Sequence, residues 1–101
     1  MAEFSNQGDL SITGTVLLTG GSNAGGLNKL TIIRFNNQLA YDVQLYRYDA
    51  LTITTTLIYN LTLSAGDTLT DNLTYALNKG DQIIAYSNIV GTSYYTYGIT
   101  Y

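Results

Sequence analysis

The stretch LAYDVQLY, residues 39–46, alternates apolar and polar side chains, and this alternation decides the fold class. The apolar set is Leu39, Tyr41, Val43 and Leu45, and the intervening set is Ala40, Asp42, Gln44 and Tyr46. Successive side chains of a β-strand point to opposite faces, so this spacing predicts a strand. One face of that strand should line a core, and the other should meet solvent or a partner.

Runs rich in Thr, Tyr and β-branched residues predict further strands on both sides of this one. They span residues 12–18, 30–35, 51–59, 83–87 and 94–101. Residues 71–78 could form one helical turn, with Asp71 as its cap and Leu73 and Leu77 four residues apart, but the segment is short and contains Thr, so we expect it to be irregular. About seven short strands predict an all-β fold, an antiparallel β-sandwich of the jelly-roll or immunoglobulin-like kind.

The chain of 101 residues is long enough for one core only. We expect residues 1–11 to form a polar N-terminal arm and residues 12–101 to form a single β-sandwich domain. The Gly-rich residues 19–26 carry few side chains that can pack, which is typical of a flexible connection.

Two similar turns follow the fourth predicted strand, LSAGDTL at residues 63–69 and LNKGDQI at residues 77–83. Gly66 and Gly80 supply backbone angles that other residues resist, and Asp67 and Asp81 can accept bonds from nearby amides. We therefore interpret all four as structural turn residues. If the turns lay side by side, Asp67, Asp71 and Asp81 could instead surround a calcium ion. Their spacing matches no known calcium loop, so we expect neither a metal nor another cofactor.

The residue types needed for most catalytic sites are missing, because the chain has no His and no Cys. A glycosidase needs only two carboxylates, but most of the seven acidic residues lie in predicted turns. We therefore expect a protein that is not an enzyme.

The charges also argue against some partners. The only four cations are scattered through a chain with a net charge of −3, which does not predict a nucleic-acid interface. They are Lys29, Arg34, Arg47 and Lys79. No apolar run approaches the roughly 18 residues of a membrane span, and residues 1–10 do not resemble a secretion leader. We expect no membrane contact.

Eight of the ten tyrosines divide into two groups by their register with neighbouring side chains. Tyr41, Tyr59, Tyr95 and Tyr97 are in register with aliphatic residues and are predicted to be in the core. Tyr46, Tyr48, Tyr86 and Tyr94 are in register with polar or small residues. Because Tyr combines a flat apolar ring with a polar tip, the second group is predicted to contact a partner. Stacking against a sugar ring is the alternative use of these side chains.

The edges of the predicted sheets lack the usual protection against strand pairing. Proline and lysine normally provide it, and this chain has no Pro and only two Lys. Charged residues make up 11% of the chain, against about 25% in an average domain. These features favour a homo-oligomer or a subunit packed among other proteins, although a monomer whose loops cover the edges remains the alternative.

From Leu39 to Tyr101 the order of features resembles small β-sandwich structural proteins of tailed bacteriophages. The resemblance rests on an apolar strand, an Ala-Gly-Asp turn, a Tyr-x-x-Leu-x-x-Gly-Asp-x-Ile stretch and an aromatic last strand. These are Val43–Leu45, Ala65–Asp67, Tyr75–Ile83 and Tyr94–Gly98.

The resemblance implies a virion protein that is assembled in the host cytoplasm and contacts the major capsid protein or other virion proteins. The implied role is capsid decoration or cement, or a head accessory. A neck or tail fibre component, or a carbohydrate-binding module that recognises host surface sugars, is the alternative. The resemblance supplies no catalytic residues.

Overall fold

The computed structural model describes residues 2–21 and 28–100, and every helix or strand in this part of the chain is a β-strand. The described strands are β1 (Ala2–Asp9), β2 (Thr15–Thr19), β3 (Asn28–Asn36), β4 (Tyr41–Asp49), β5 (Thr54–Leu63), β6 (Thr68–Asp71), β7 (Tyr75–Leu77), β8 (Gln82–Ser87) and β9 (Ser93–Thr100). Most of the predicted flexible connection, residues 22–26, lies outside the described residues. None of the described residues forms a helix that is long and apolar enough to cross a membrane.

The strands form two antiparallel sheets packed face to face. The five-stranded sheet has the order β1-β9-β3-β6, and β7 pairs with β3 beside β6. The four-stranded sheet has the order β2-β8-β4-β5. The predicted all-β antiparallel sandwich is confirmed, with nine strands among the described residues instead of about seven.

The core lies between the sheets and is built mainly by β3, β4 and β8. Its buried side chains are Leu10, Leu17, Leu30, Ile33, Phe35, Tyr41, Val43, Leu45, Leu77, Ile83 and Ala85. Burying one large aliphatic side chain stabilises a fold by about 1.5–3 kcal/mol, so this cluster holds the two sheets together. The predicted alternation of Tyr41, Val43 and Leu45 is confirmed, whereas Leu39 lies in the bend before β4 and is exposed.

The N-terminal segment differs from the expected polar arm, because Ala2–Asp9 forms β1 at the edge of the five-stranded sheet. Phe4 explains this placement: its ring packs against the core from a position opposite Gly98 on β9. A Cβ at Gly98 would lie 2.5 Å from Phe4 Cζ, so only glycine leaves room for the ring. One aromatic side chain thus anchors a segment that is otherwise polar.

The β4–β5 hairpin turns later than expected, because residues 50–53 form the turn and β5 begins only at Thr54. The Asp49 carboxylate stabilises this turn by accepting a hydrogen bond from the Leu51 amide at 2.9 Å. Ile53 has a φ of 54°, a conformation that β-branched residues rarely adopt. The turn therefore carries backbone strain at a residue whose side chain is exposed.

A β-bulge in β5 places Leu57 and Tyr59, which are two residues apart, on opposite faces of the sheet. Leu45 pairs with Tyr59 and Tyr46 pairs with Leu57, which leaves Ile58 as an extra residue. Tyr59 faces the core as predicted, but Leu57 lies on the outer face beside Tyr46. A change of register by one residue moves every following side chain to the opposite face of the sheet.

The face of the last strand, β9, that packs against the core is the opposite of the one predicted. Thr96 and Gly98 pair with the buried Ile33 and Leu30, so they face the core. Tyr95 and Tyr97, which we expected in the core, therefore lie on the outer face of the five-stranded sheet. The small side chains face inward because Phe4 occupies the space above Gly98. Residues 71–78, expected to be irregular, contain the end of β6 and the short strand β7.

Candidate interaction surface

The outer face of the four-stranded sheet carries an apolar row that crosses all four strands. Val16 on β2 lies opposite Ile84 on β8, which lies opposite Tyr46 on β4, and Tyr46 in turn lies opposite Leu57 on β5. Val16 and Leu57 are 48% and 49% exposed, and the two central side chains are half-buried. We call these four residues the apolar row.

Uncharged polar residues border the apolar row on both sides. One flanking row contains Tyr86, Gln44 and Asn60, and the other contains Thr19, Gln82, Tyr48 and Thr55. A charged side chain appears on this face only beyond these rows, at Asp42. This part of the surface therefore lacks the charges that usually keep a sheet face solvated.

Two tyrosines at the centre of the face are held in fixed positions. The rings of Tyr46 and Tyr86 meet edge to face with centroids 5.3 Å apart. The Tyr46 hydroxyl donates to Gln44 Oε1 at 3.1 Å. Gly14, with a φ of 111°, lies so close to the Tyr86 ring that a Cβ would be 2.7 Å from Cε2. Rings that are already ordered lose little side-chain entropy when a partner covers them.

The predicted contact residues fall on two different surfaces. Tyr46, Tyr48 and Tyr86 lie together on this outer face. Tyr94 lies on the other sheet, opposite the buried Phe35, and packs against the core. Sequence reasoning missed Val16 and Leu57, because bulges at Leu17 and Ile58 set which face their strands present. It also missed Ile84 on the regular strand β8, where the buried Ile83 and the half-buried Ile84 are the same residue type.

A second candidate site lies on the five-stranded sheet, where a cleft of about 550 Å³ opens between β1, β9 and β3. Tyr95 and Gln7 line it, together with the oppositely charged Arg34 and Asp9. The Arg34 guanidinium lies 5.8 Å from the centroid of the Tyr95 ring. An aromatic ring beside charged hydrogen-bonding groups is an arrangement that can recognise a sugar.

The three carboxylates considered for calcium are separated in the fold. Asp81 accepts hydrogen bonds from Arg47, Ala50 and Asn78, whereas Asp71 accepts them from Tyr59 and Tyr75. Asp67 is exposed and contributes its carbonyl oxygen, which accepts from the Tyr41 hydroxyl at 2.6 Å. Across residues 2–21 and 28–100 no three acidic side chains come together in a group that could hold a metal ion. At both Gly-Asp turns the glycine has positive φ, 80° at Gly66 and 84° at Gly80.

Asp71 links the two sheets through tyrosine hydroxyls. Asp71 belongs to the five-stranded sheet, and its Oδ2 accepts from Tyr59 of the four-stranded sheet at 3.0 Å and from Tyr75 at 2.6 Å. Burial raises the pKa of Tyr59 well above its usual value, and the Asp71 carboxylate raises it further. The pKa of Tyr75 is raised for the same two reasons. The folded chain therefore keeps both phenols protonated to a higher pH than the unfolded chain does.

We expect stability to fall as the pH rises above about 10, the ordinary pKa of Tyr. Below that pH both states hold the phenol protons, so the stabilisation is fully present. Above it the unfolded chain releases protons that the folded chain keeps, which favours unfolding. Urea titrations between pH 8 and pH 12 measure this effect. The stability of the variant Tyr59→Phe should fall less steeply with pH. The two slopes should differ by up to about 1.4 kcal/mol per pH unit, the contribution of one phenol. Equal slopes for the two proteins would contradict the assignment to Tyr59.

Comparison with known proteins found no family model that matches the chain, and no curated protein or solved structure with significant similarity to it.

Proposed function

We propose that this protein is a structural component of a tailed-phage virion, a capsid decoration or cement protein or a head accessory, and that it acts by surface burial and not by catalysis. The proposal combines the resemblance of residues 39–101 with one structural observation. That observation is the uncharged central part of the outer face of the four-stranded sheet, formed by the apolar row and its two flanking rows.

This face has the composition of the centre of a protein interface. Such centres are depleted in charged residues and enriched in Tyr, and a rim of polar groups surrounds them. Here the ordered pair of Tyr46 and Tyr86 lies beside the exposed side chains of Val16 and Leu57. Tyr is enriched among the few residues that carry most of the binding energy at an interface, and the surrounding aliphatic contacts mainly exclude water. The proposed partner is therefore another virion protein with a complementary apolar patch.

A lysine in the apolar row should weaken incorporation into particles roughly tenfold, because binding would bury an unpaired charge. Val16→Lys is the variant, and Thr70→Lys, at an exposed position on the outer face of the other sheet, is the matched control. Binding of the purified chain to particles of the phage that carries its gene, prepared without the chain, is measured by co-sedimentation. Failure of the wild-type chain to bind would refute the proposed role. Equal binding by both variants would instead exclude this face.

The cleft beside Tyr95 favours a second role, recognition of host surface sugars by a neck or tail fibre component. Asp9 and Arg34 offer an acceptor and donors for sugar hydroxyls, and the Tyr95 ring offers an apolar surface. A glycan array probed with the wild-type chain separates this role from capsid decoration.

A further inference from the structure

The described sheets end in several edge strands, and the edges differ in how well they are protected. β1 carries the charged residues Glu3 and Asp9. β2 has only five residues and contains a bulge. β6 and β7 are shorter still, and residues 72–74 interrupt that edge. Short length, charges and irregularities are the devices that prevent edge-to-edge pairing.

β5 is the long edge without charges. It spans ten residues, Thr54–Leu63, and contains no charged residue, no Pro and no Gly. Among the described residues it pairs only with β4, so its other side presents unpaired backbone groups. An edge of this kind is a template for an added strand.

We infer that β5 is a homotypic interface, at which β5 of a second copy pairs antiparallel about a two-fold axis between Ile58 and Tyr59. In this register Thr55 lies opposite Thr62 of the second copy, and Leu57 lies opposite Asn60. The two four-stranded sheets then form one continuous sheet. The inference does not depend on the virion role, because it concerns only how copies of this chain meet.

Because of the bulge at Ile58, every pair of opposed residues in this register lies on the same face of the sheet. Directly opposed residues of an antiparallel pair must lie on the same face. Thr55 and Leu57 pair with Tyr48 and Tyr46 of β4, whereas Asn60 and Thr62 pair with Gln44 and Asp42. All four positions of β4 are separated by even numbers of residues, so their partners share the outer face. Without the extra residue, the same register would oppose residues from different faces.

The absence of charge on β5 and the exposure of Leu61 both favour β5 of a second copy as the strand that pairs with this edge. A strand without charges meets no like charge when it pairs with itself, and it offers no charge that would select a different partner. Leu61 faces the space between the sheets, yet it is 40% exposed at this flank. In the proposed register it lies opposite Thr56 of the second copy, which shields it from water.

The size of the contact predicts a weak dimer. Ten paired residues form a strip about 33 Å long and roughly 10 Å wide, so each copy buries roughly 300 Å². Interfaces of this size belong to transient complexes. The measurement must therefore extend to high protein concentration.

The test is the mass of the purified chain by sedimentation equilibrium from 1 µM to 1 mM. We expect a monomer–dimer equilibrium for the wild type. Thr55→Lys with Thr62→Lys places two pairs of lysines opposite each other and should raise the dissociation constant roughly tenfold or more. Thr55→Glu with Thr62→Lys should restore the dimer, because each lysine then faces a glutamate of the second copy, and in both variants this lysine lies opposite Asp42 of its own β4. Within one chain the two positions lie about 20 Å apart, so they pair only across the interface.

The control adds the same charge to another edge, with Ser5→Lys and Gln7→Lys on β1, and should leave the dimer unchanged. A wild-type monomer throughout the range, the same rise in dissociation constant for the control, or no restoration when Thr55→Glu replaces Thr55→Lys would each overturn the proposal. If the lysine variant does not fold, hydrogen exchange of the wild type decides. Protection of β5 amides that rises with concentration supports the pairing, and constant protection overturns it. Particles are not used, so a failure here is distinct from a failure of the proposed virion role.

Discussion

Replacing Asp81 with Ala should lower the free energy of unfolding by about 2–3 kcal/mol, because it removes the buried partner of an ion pair whose other side chain, Arg47, is 32% exposed. Asp81 is only 3% exposed and serves three separate parts of the fold. Its Oδ2 accepts from Arg47 of β4 at 3.1 Å and from the amide of Asn78 at 3.2 Å. Its Oδ1 accepts from the Ala50 amide in the β4–β5 turn at 3.0 Å. The substitution leaves all three donors without this acceptor. Urea denaturation at pH 7 measures the loss.

Asp67→Ala is the matched control, since Asp67 occupies the same position in the other Gly-Asp turn. Asp67 is exposed, and the bonds from Tyr41 and Asn36 end on its main-chain carbonyl oxygen. That oxygen survives the substitution. We expect a change within about 0.5 kcal/mol, as for an ordinary surface position. Equal losses for the two variants would show that the carboxylate of Asp81 has no special role.

The two Gly-Asp turns show what a sequence pattern can and cannot predict. Each turn depends on residues that are adjacent in the chain, so the positive φ of Gly66 and Gly80 could be anticipated. The difference between the two aspartates could not. Asp81 is buried because Arg47 and Ala50, more than thirty residues earlier, fold against it. Nothing within the repeated seven-residue pattern carries that information.

Strand faces were predictable only where the alternation is regular. β4 keeps strict alternation from Tyr41 to Leu45, and its core face was predicted correctly. In β5 a single extra residue at Ile58 reverses the faces, and no local residue type marks it. The same limit applies to the candidate surface. Tyr46 and Tyr86 could be proposed from their own strands, whereas their neighbours Val16 and Leu57 lie on strands with bulges.

The last strand was misread for another reason, because Gly98 gives no hydrophobic signal. Its place in the core follows from Phe4, which is more than ninety residues away in the chain and belongs to a segment that reads as polar. Apolar periodicity assigned Tyr95 and Tyr97 to the core, since large side chains usually mark the buried face. At Gly98 the buried face of β9 carries no side chain, and the aromatic ring of Phe4 from the neighbouring strand fills the space.

Gly98→Ala tests this packing and should lower the free energy of unfolding by about 2–3 kcal/mol. The added Cβ would collide with the backbone carbonyl oxygen of Lys29 on β3 and with the Phe4 ring. The carbonyl cannot move away without disturbing the pairing of β3 with β9. Gly8→Ala on β1 is the control, because the atoms nearest to its Cβ belong to the Tyr94 side chain, the first at 3.2 Å, and a side chain can shift by a few tenths of an ångström. Urea denaturation should therefore show less than about 1 kcal/mol for Gly8→Ala.

A second substitution identifies which neighbour of Gly98 dominates. Adding Phe4→Ala to Gly98→Ala removes the ring but leaves the Lys29 carbonyl in place. If the carbonyl dominates, the double variant should be less stable than either single variant, since it loses the core contact of Phe4 as well. If the ring dominates, the two losses should overlap and their sum should exceed the loss in the double variant. A Gly98→Ala variant as stable as the wild type would show that β1, β9 and β3 are not closely packed at this point, and the placement of the N-terminal strand would then need another cause.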